Sequence, residues 1–401
     1  MVGVDQAVDA AADWAGSGLA YLTGPPDGAP DFSRAAVLAE ARRVTADVAG
    51  LLGVEVDAAT VLAGRAAILN LTRRGRVSAG GATRLLATAD GWCAVALPRA
   101  DDVAALPALL EVDAVTGDPW MALSYWAATR STEAVAARGQ LLDIAAAGLG
   151  DVAAGPPAVR RCGSTVGPRR ADGLLVADLS SLWAGPLCAQ LLARAGAVVV
   201  KVESPSRPDG TRRGEPAFFD WMNFGKLCHA VDFDHDTDAL RQLLAAADIV
   251  IEGSRPAALG RRQLSADDLA GRPGRIWLRI KGYRDQPHRP AFGDDAAVAG
   301  GLVGAAADGP VFCGDAIADP LSGLEAAREV GESLRRGGGE LIDVSMAQVA
   351  ARYAALPRAL PGSHAPVVPP QPPPAVPSAS PMGADNAAVR HIVSERLCAP
   401  C

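Results

Sequence analysis

The sequence predicts an α/β protein: a Rossmann-like, doubly wound parallel sheet forming a large domain, beside a smaller α+β domain. Two observations carry this. From Leu174 onward LLVADL, AGPLCAQLLARAG, AVVVKVE, ALRQLLAAAD and IVIE follow one another, and short apolar runs alternating with helical patterns mark strands joined by crossover helices. Upstream, TRLLATADGWCAVAL sets Asp90-Gly91 between two apolar runs, a hairpin signal, with helical stretches in 33–52 and 131–148 on either side. The 401 residues, 49% of them hydrophobic, suffice for two or three domains with substantial cores.

Taken in order, residues 1–160 read as the small α+β region. GPPAVRRCGSTVGPRR, from Gly155 to Arg170, is polar and punctuated by Pro and Gly, and marks a boundary. The large domain follows over 171–356. RIWLRI (Arg275 to Ile280) and ELIDVSM (Glu340 to Met346) bring its strands to five, the latter after a helix from about Leu321 to Leu334. Ten of the thirty prolines fall between Pro357 and Pro381, where neither helix nor central strand persists, so 357–381 reads as a linker. In 382–401, Ala388, Val389, Ile392, Val393 and Leu397 share one helix face, and that helix is expected to dock back on the large domain.

Composition excludes several functions. With 38 basic against 45 acidic residues there is no basic field to draw nucleic acid or an anionic membrane. No apolar run reaches membrane-spanning length and the first residues lack a signal-peptide pattern, so the expected compartment is the cytoplasm. Seven dispersed cysteines and five scattered histidines predict reduced thiols and no metal site. The turn Asp178 to Pro186 offers one glycine and a bulky Trp183, which disfavours a dinucleotide; Glu203 then reads as a solvated strand-end carboxylate. Neither a Walker A sequence nor a G-x-S-x-G elbow occurs. Cys398 to Cys401 spells C-x-x-C without a βαβ context and reads as a frayed tail, and Gly337 to Gly339 reads as a helix-to-strand turn.

Six separated motifs keep a common order: VADLSSLWAGPLCAQLLARAGAVVVKVESPSRPDGTRR, NFGKLCHAVDFD, ADIVIEGSRPAAL, GDDAAVAGGL, GDAIADPLSGLEAA and RRGGGELIDVSM. In this the chain closely resembles the family III CoA-transferases, which include formyl-CoA and carnitine CoA-transferases and the α-methylacyl-CoA racemases. The resemblance covers about residues 174–350. It implies an enzyme that moves CoA between carboxylic acids through an aspartyl anhydride and an enzyme-CoA thioester. It also implies acyl-CoA and carboxylic acid partners and a homodimer. Small-domain features that relatives carry after the VDVSM-like strand stand upstream here, at Ala87 to Gly91 and Arg130 to Glu133. The resemblance therefore implies a small-domain segment moved to the N-terminus.

By the same resemblance the nucleophile is Asp319. Its sequence context agrees, since Pro320 suits a first helical position and would make Asp319 an N-cap, where the macrodipole favours its charge; an ordinary structural cap has the same signature. Asp294 and Asp295 stand where racemases of the family have a His-Asp pair, which makes α-proton transfer by Asp319 with Asp294 or Asp295 the alternative activity. A non-catalytic acyl-CoA-binding relative is a third reading. Asp315 reads as a loop carboxylate. For coenzyme A the resemblance points to Leu182, Trp183 and Ala184, with Arg207, Arg212 and Arg213 for phosphates. Ser204 stands where formyl-CoA transferases have an arginine. Lys226, of the NFGK turn, reads either as a phosphate partner or as a solvated lysine. Trp183 and Trp221 read as acyl-pocket walls or as core.

Overall fold

The structure, a computed structural model, describes residues 10–253, 259–269, 272–359 and 365–398. Helix α1 (Ala36–Leu52) places Val37, Leu38, Ala41, Val44, Val48 and Leu52 on one buried face. Helix α2 (Ala58–Ile68) is capped by Asp57, whose carboxylate accepts the Thr60 N–H at 2.9 Å. The expected hairpin follows as β1 (Thr83–Ala87) and β2 (Trp92–Ala96). At its turn the Asp90 carboxylate accepts the Thr132 N–H at 2.8 Å. Helix α3 (Pro119–Ala128) packs behind it.

The stretch 131–148, expected as one helix, divides into α4 (Thr132–Leu141) and β3 (Ala145–Gly148), which pairs antiparallel with β2. Asp143 at φ 62° turns the chain out of the helix. The small residues Ala145 to Gly148 then run directly beneath α4, where Gly139 faces Ala146.

The large sheet takes its strands from β4 (Ala158–Arg161), β5 (Leu175–Asp178), β6 (Val198–Glu203), β7 (Leu227–Ala230), β8 (Ile249–Glu252), β9 (Ile276–Lys281) and β12 (Glu340–Ser345). The small hairpin β10 (Val303–Ala306) and β11 (Gly309–Phe312) stands apart. The sheet order is β4-β12-β9-β8-β5-β6-β7, with every pairing parallel except β4 to β12. Without β4 the order, read from β7, is 3-2-1-4-5-6, the doubly wound arrangement. The expectation of five strands was short by two. LCHA and AVRR are too polar to read as strands, but each lies at a sheet edge, where one side need not be buried.

Both sheet faces are covered. Helices α5 (Ala184–Arg194), α6 (Pro216–Asn223), α9 (Ala318–Arg336) and α10 (Met346–Ala354) join α1 and α2 in one core with Val176, Ile249, Ile276 and Ile342. Helix α7 (Thr237–Ala246) and α11 (Asn386–Cys398) cover the other face, over Leu175, Val250 and Trp277. Helix α8 (Gly293–Ala299) lies against β2, β3 and α10. The division expected near residue 160 therefore does not separate two cores: α1 and α2 belong to the sheet's core, and β4 joins the sheet itself. Leu86, Cys93, Val95, Leu109, Leu123 and Ile144 form the core of the small α+β unit.

The described part of the proline-rich stretch is not a free spacer. Val368 N–H bonds the Ala15 carbonyl at 3.3 Å, Pro373 packs on Gly64, and Ala379 N–H bonds the Asp220 carboxylate at 2.9 Å. Helix α11 docks as expected, burying Val389 and Val393. Ahead of it, Asp385 accepts the Cys228 N–H at 2.8 Å, and the Asn386 amide oxygen accepts the Ala230 N–H at 2.9 Å, so side chains close the outer edge of β7. Asn386→Ala should lower stability by about 1–3 kcal/mol, read by urea denaturation.

Candidate active site

Asp319 lies in the first turn of α9 and not at its N-cap, because the helix already begins at Ala318. Gly314 at φ 67° and Ala316 at φ 43° coil the chain so tightly that Asp319 N–H bonds the Ala316 carbonyl at 2.9 Å. Pro320 is tolerated within that first turn, where its missing N–H costs nothing. The acid keeps the favourable end of the helix dipole. A non-glycine residue at positive φ beside clustered carboxylates is stored strain of the kind found at functional sites.

Three carboxylates and one guanidinium meet here. Asp315, expected in solvent, is buried, and its two oxygens accept from Arg65 at 2.7 and 2.6 Å. Asp294, from the first turn of α8, accepts the Ala316 N–H at 3.0 Å and faces the Thr83 hydroxyl at 3.4 Å. The Gly293 N–H supports the Asp319 carboxylate. Burial pushes Asp319 up to about 7; Arg65 opposes this, and Asp294 and Asp315 reinforce it. Burial likewise raises Asp294 to about 6, with Asp315 adding to the effect.

Arg65 comes from α2, and sequence reasoning missed it. Its guanidinium lies 5.6 Å from the Trp183 ring centre and 5.5 Å from that of Phe218, two rings that meet edge to face at 5.4 Å. No local signal marks an arginine within VLAGRAAIL as functional, because its partner Asp315 is 250 residues further on. Asp295 points elsewhere. It is fully buried, accepts the Phe292 N–H at 2.7 Å and faces the Tyr283 hydroxyl at 3.5 Å, which makes it a brace for the start of α8. Burial raises it to about 8.

Of the residues expected to hold CoA, Leu182, Trp183 and Ala184 form the turn from β5 into α5. Leu182 takes φ 71° and is 38% exposed, while Trp183 and Ala184 are buried. Arg207 and Arg213 are exposed and available to phosphate. Arg212 is not, because it grips Glu203 through contacts of 2.6 to 3.0 Å and lies over the Phe219 ring. Glu203 is accordingly a buried partner and not a solvated carboxylate.

Lys226 is corrected on both readings: it is fully buried and its three N–H groups bond Asp178, the Pro186 carbonyl and Asn223 at 2.9 to 3.1 Å. Together with Lys201, which bonds the Ser180 carbonyl and Asp209, it braces the β5–α5 turn from beneath. Lys226→Met would leave Asp178 buried without its partner, at an expected cost of about 3–5 kcal/mol in a denaturation measurement. Trp221 packs against Gly64 and Phe218 as part of the core. Cys401 lies outside the described residues, and Cys398 is an exposed free thiol. Among the described residues no group of His, Cys, Asp and Glu could hold a metal ion, and no helix is long and apolar enough to cross a membrane.

Residues 172–385, more than half of the chain and carrying the β5–α5 turn, α8 and the Asp319 helix, match CoA-transferase family III. The chain belongs to this family. Similar proteins include a succinyl-CoA–D-citramalate CoA-transferase of Chloroflexus aurantiacus, 29% identical over 45% of this chain and 50% of that protein. A succinyl-CoA:mesaconate CoA-transferase of Haloarcula hispanica is 31% identical over 44% of this chain and 51% of that protein. A solved structure of a CAIB/BAIF family protein from Brucella suis is 27% identical, with a TM-score of 0.42 over 47% of this chain and 56% of that one. The chain thus spans about half the length of the curated relatives it matches. Arg65 lies outside the matched segment, in a part of the chain that the family match does not reach.

Proposed function

We propose that this protein transfers CoA between carboxylic acids, with Asp319 as the covalent carrier. The observation that carries the reading is the placement of Asp319: a carboxylate in the first turn of α9, supported by the Gly293 N–H and beside Arg65, in the segment that matches the family. A carboxylate is a weak nucleophile in water, and burial with a positioned thioester is what makes it competent. In this reading Asp319 attacks the thioester carbon and expels the CoA thiolate. The thiolate then attacks the Asp319 carbonyl of the mixed anhydride and frees the donor acid. The acceptor acid repeats the sequence in reverse. Leu182, Trp183 and Ala184 lie against CoA, with Arg207 and Arg213 at its phosphates. The resemblance adds a homodimer to the proposal, and the cytoplasmic setting expected from the sequence goes with it.

The test is intact mass after incubation with a pool of acyl-CoA thioesters. A CoA-sized adduct is expected, and its absence would sink the covalent route. Its rate of formation should rise with pH and be half-maximal near pH 7, because Asp319 must lose its proton to attack and burial has raised it to about 7. A rate that falls as pH rises would contradict Asp319 as nucleophile.

One observation favours a second reading. Asp294 and Asp319 share a site, with proton affinities near 6 and 7, a matched pair suited to taking and returning an α-proton. Exchange of the α-hydrogen in heavy water without CoA transfer would identify that racemase or isomerase chemistry.

A further inference from the structure

We propose that Arg65 is the carboxylate receiver of this site, holding the acid that leaves the donor and then the acid that accepts CoA. This rests on the CoA-transfer reading. When the CoA thiolate replaces the acyl group on Asp319, Asp319 becomes a neutral thioester and its negative charge departs on the freed acid. The cation that had balanced Asp319 is then left beside that acid. Among the described residues Arg65 is the cation acting on Asp319, Asp294 and Asp315 together.

Its geometry suits an exchange of partners. Both contacts to Asp315 use one guanidinium nitrogen, Nη1, while Nη2 lies on the side of Gly80, a residue with no side chain to block it. The side chain is 24% exposed, against 1% for Asp315, so the open side of the pair belongs to the arginine. Trp183 and Phe218 lie together on one side of the guanidinium, 5.6 and 5.5 Å from it to their ring centres, and leave its other side for the planar contact that arginine makes with a carboxylate. Trp183 is also part of the β5–α5 turn, so one arginine meets both the turn proposed for CoA and Asp315 in the loop that leads into the Asp319 helix.

The experiment is calorimetric binding of acetate and of succinate at pH 8, where Asp319 is ionised in the wild type. Asp319→Asn has the shape of the aspartate and the neutrality of the acylated state, and should bind acetate at least about tenfold more tightly than the wild type. Adding Arg65→Gln should remove that gain. If the double variant binds acetate as well as Asp319→Asn does, the proposal is overturned.

Should Arg65→Gln fail to fold, Asp315→Asn tests the same point from the other side. Releasing Arg65 from its resident partner should tighten acetate binding in the wild-type background, and unchanged binding would overturn the proposal. Succinate should follow acetate in each comparison, since it is the carboxylate that is read. The readout needs no turnover. A wild type that forms no CoA adduct would reject the covalent route while leaving the binding result legible, and an adduct with acetate binding indifferent to Arg65 would reject the receiver alone.

Discussion

Asp319→Ala is expected to abolish the enzyme–CoA adduct and to lower CoA transfer by on the order of 10³-fold or more. No neighbour can take over its work. Asp315 is engaged through both oxygens by Arg65, and Asp294 is drawn away by the Ala316 N–H and the Thr83 hydroxyl. Asp319→Asn should fail equally, which separates loss of the nucleophile from loss of volume. Asp294→Asn has a different signature. The Asp294 charge holds the Asp319 proton more tightly, so its removal should move the pH midpoint of adduct formation below that of the wild type while the adduct still forms. A midpoint that stays in place or rises would show that the two carboxylates do not act on one another.

Gly293→Ala is expected to be the most damaging change that alters no chemical group of the reaction. A β-carbon at Gly293 would fall closer than 3.0 Å to both the Ala316 carbonyl and the Asp319 carboxylate. Neither is the loose end of a flexible side chain: the first is backbone in a strained turn, and the second is the proposed nucleophile. The backbone at Gly293 is ordinary helix start, so the objection is one of space. Crowding of this kind costs about 1–3 kcal/mol of stability, and displacement of a reacting group by ~1 Å costs about 10²-fold in rate. The variant should therefore remain folded by circular dichroism while transfer falls by about 10²-fold. A folded variant with wild-type activity would remove Gly293 from the site.

The helix that carries Asp319 and the strand-to-helix turn at Leu182 to Ala184 were legible in the sequence because each is a short motif whose neighbours share one element, while the roles expected of these residues came from the family resemblance. The parallel sheet was legible because the buried IVI of IVIE and IWL of RIWLRI read as short apolar runs between helical patterns. What escaped was either marginal in composition or set by distant partners. The strand at Leu227–Ala230 hides His229 against Asn386, a residue of the C-terminal segment. Arg65, Arg212 and Lys226 are chemically similar cations, yet one stands beside the carboxylates of the proposed site and the other two are held by buried acids. Only their partners at Asp315, Glu203 and Asp178 distinguish them, and no local pattern names those partners. The extra turn at the start of α9 was hidden in the same way, because it depends on the left-handed conformation of Ala316, a residue type that rarely takes it.

The side chains of Asp385 and Asn386 occupy the backbone groups that an eighth strand would otherwise use, and they arrive there at the end of a proline-rich run that has little hydrogen-bond ladder of its own. The last helix is in effect a stopper on a tether. A chain shortened before residue 385 would keep its sheet but present a bare, straight edge to every other copy in solution. For such a molecule the first loss would be solubility, with growth edge to edge, well before any change in the chemistry around Asp319.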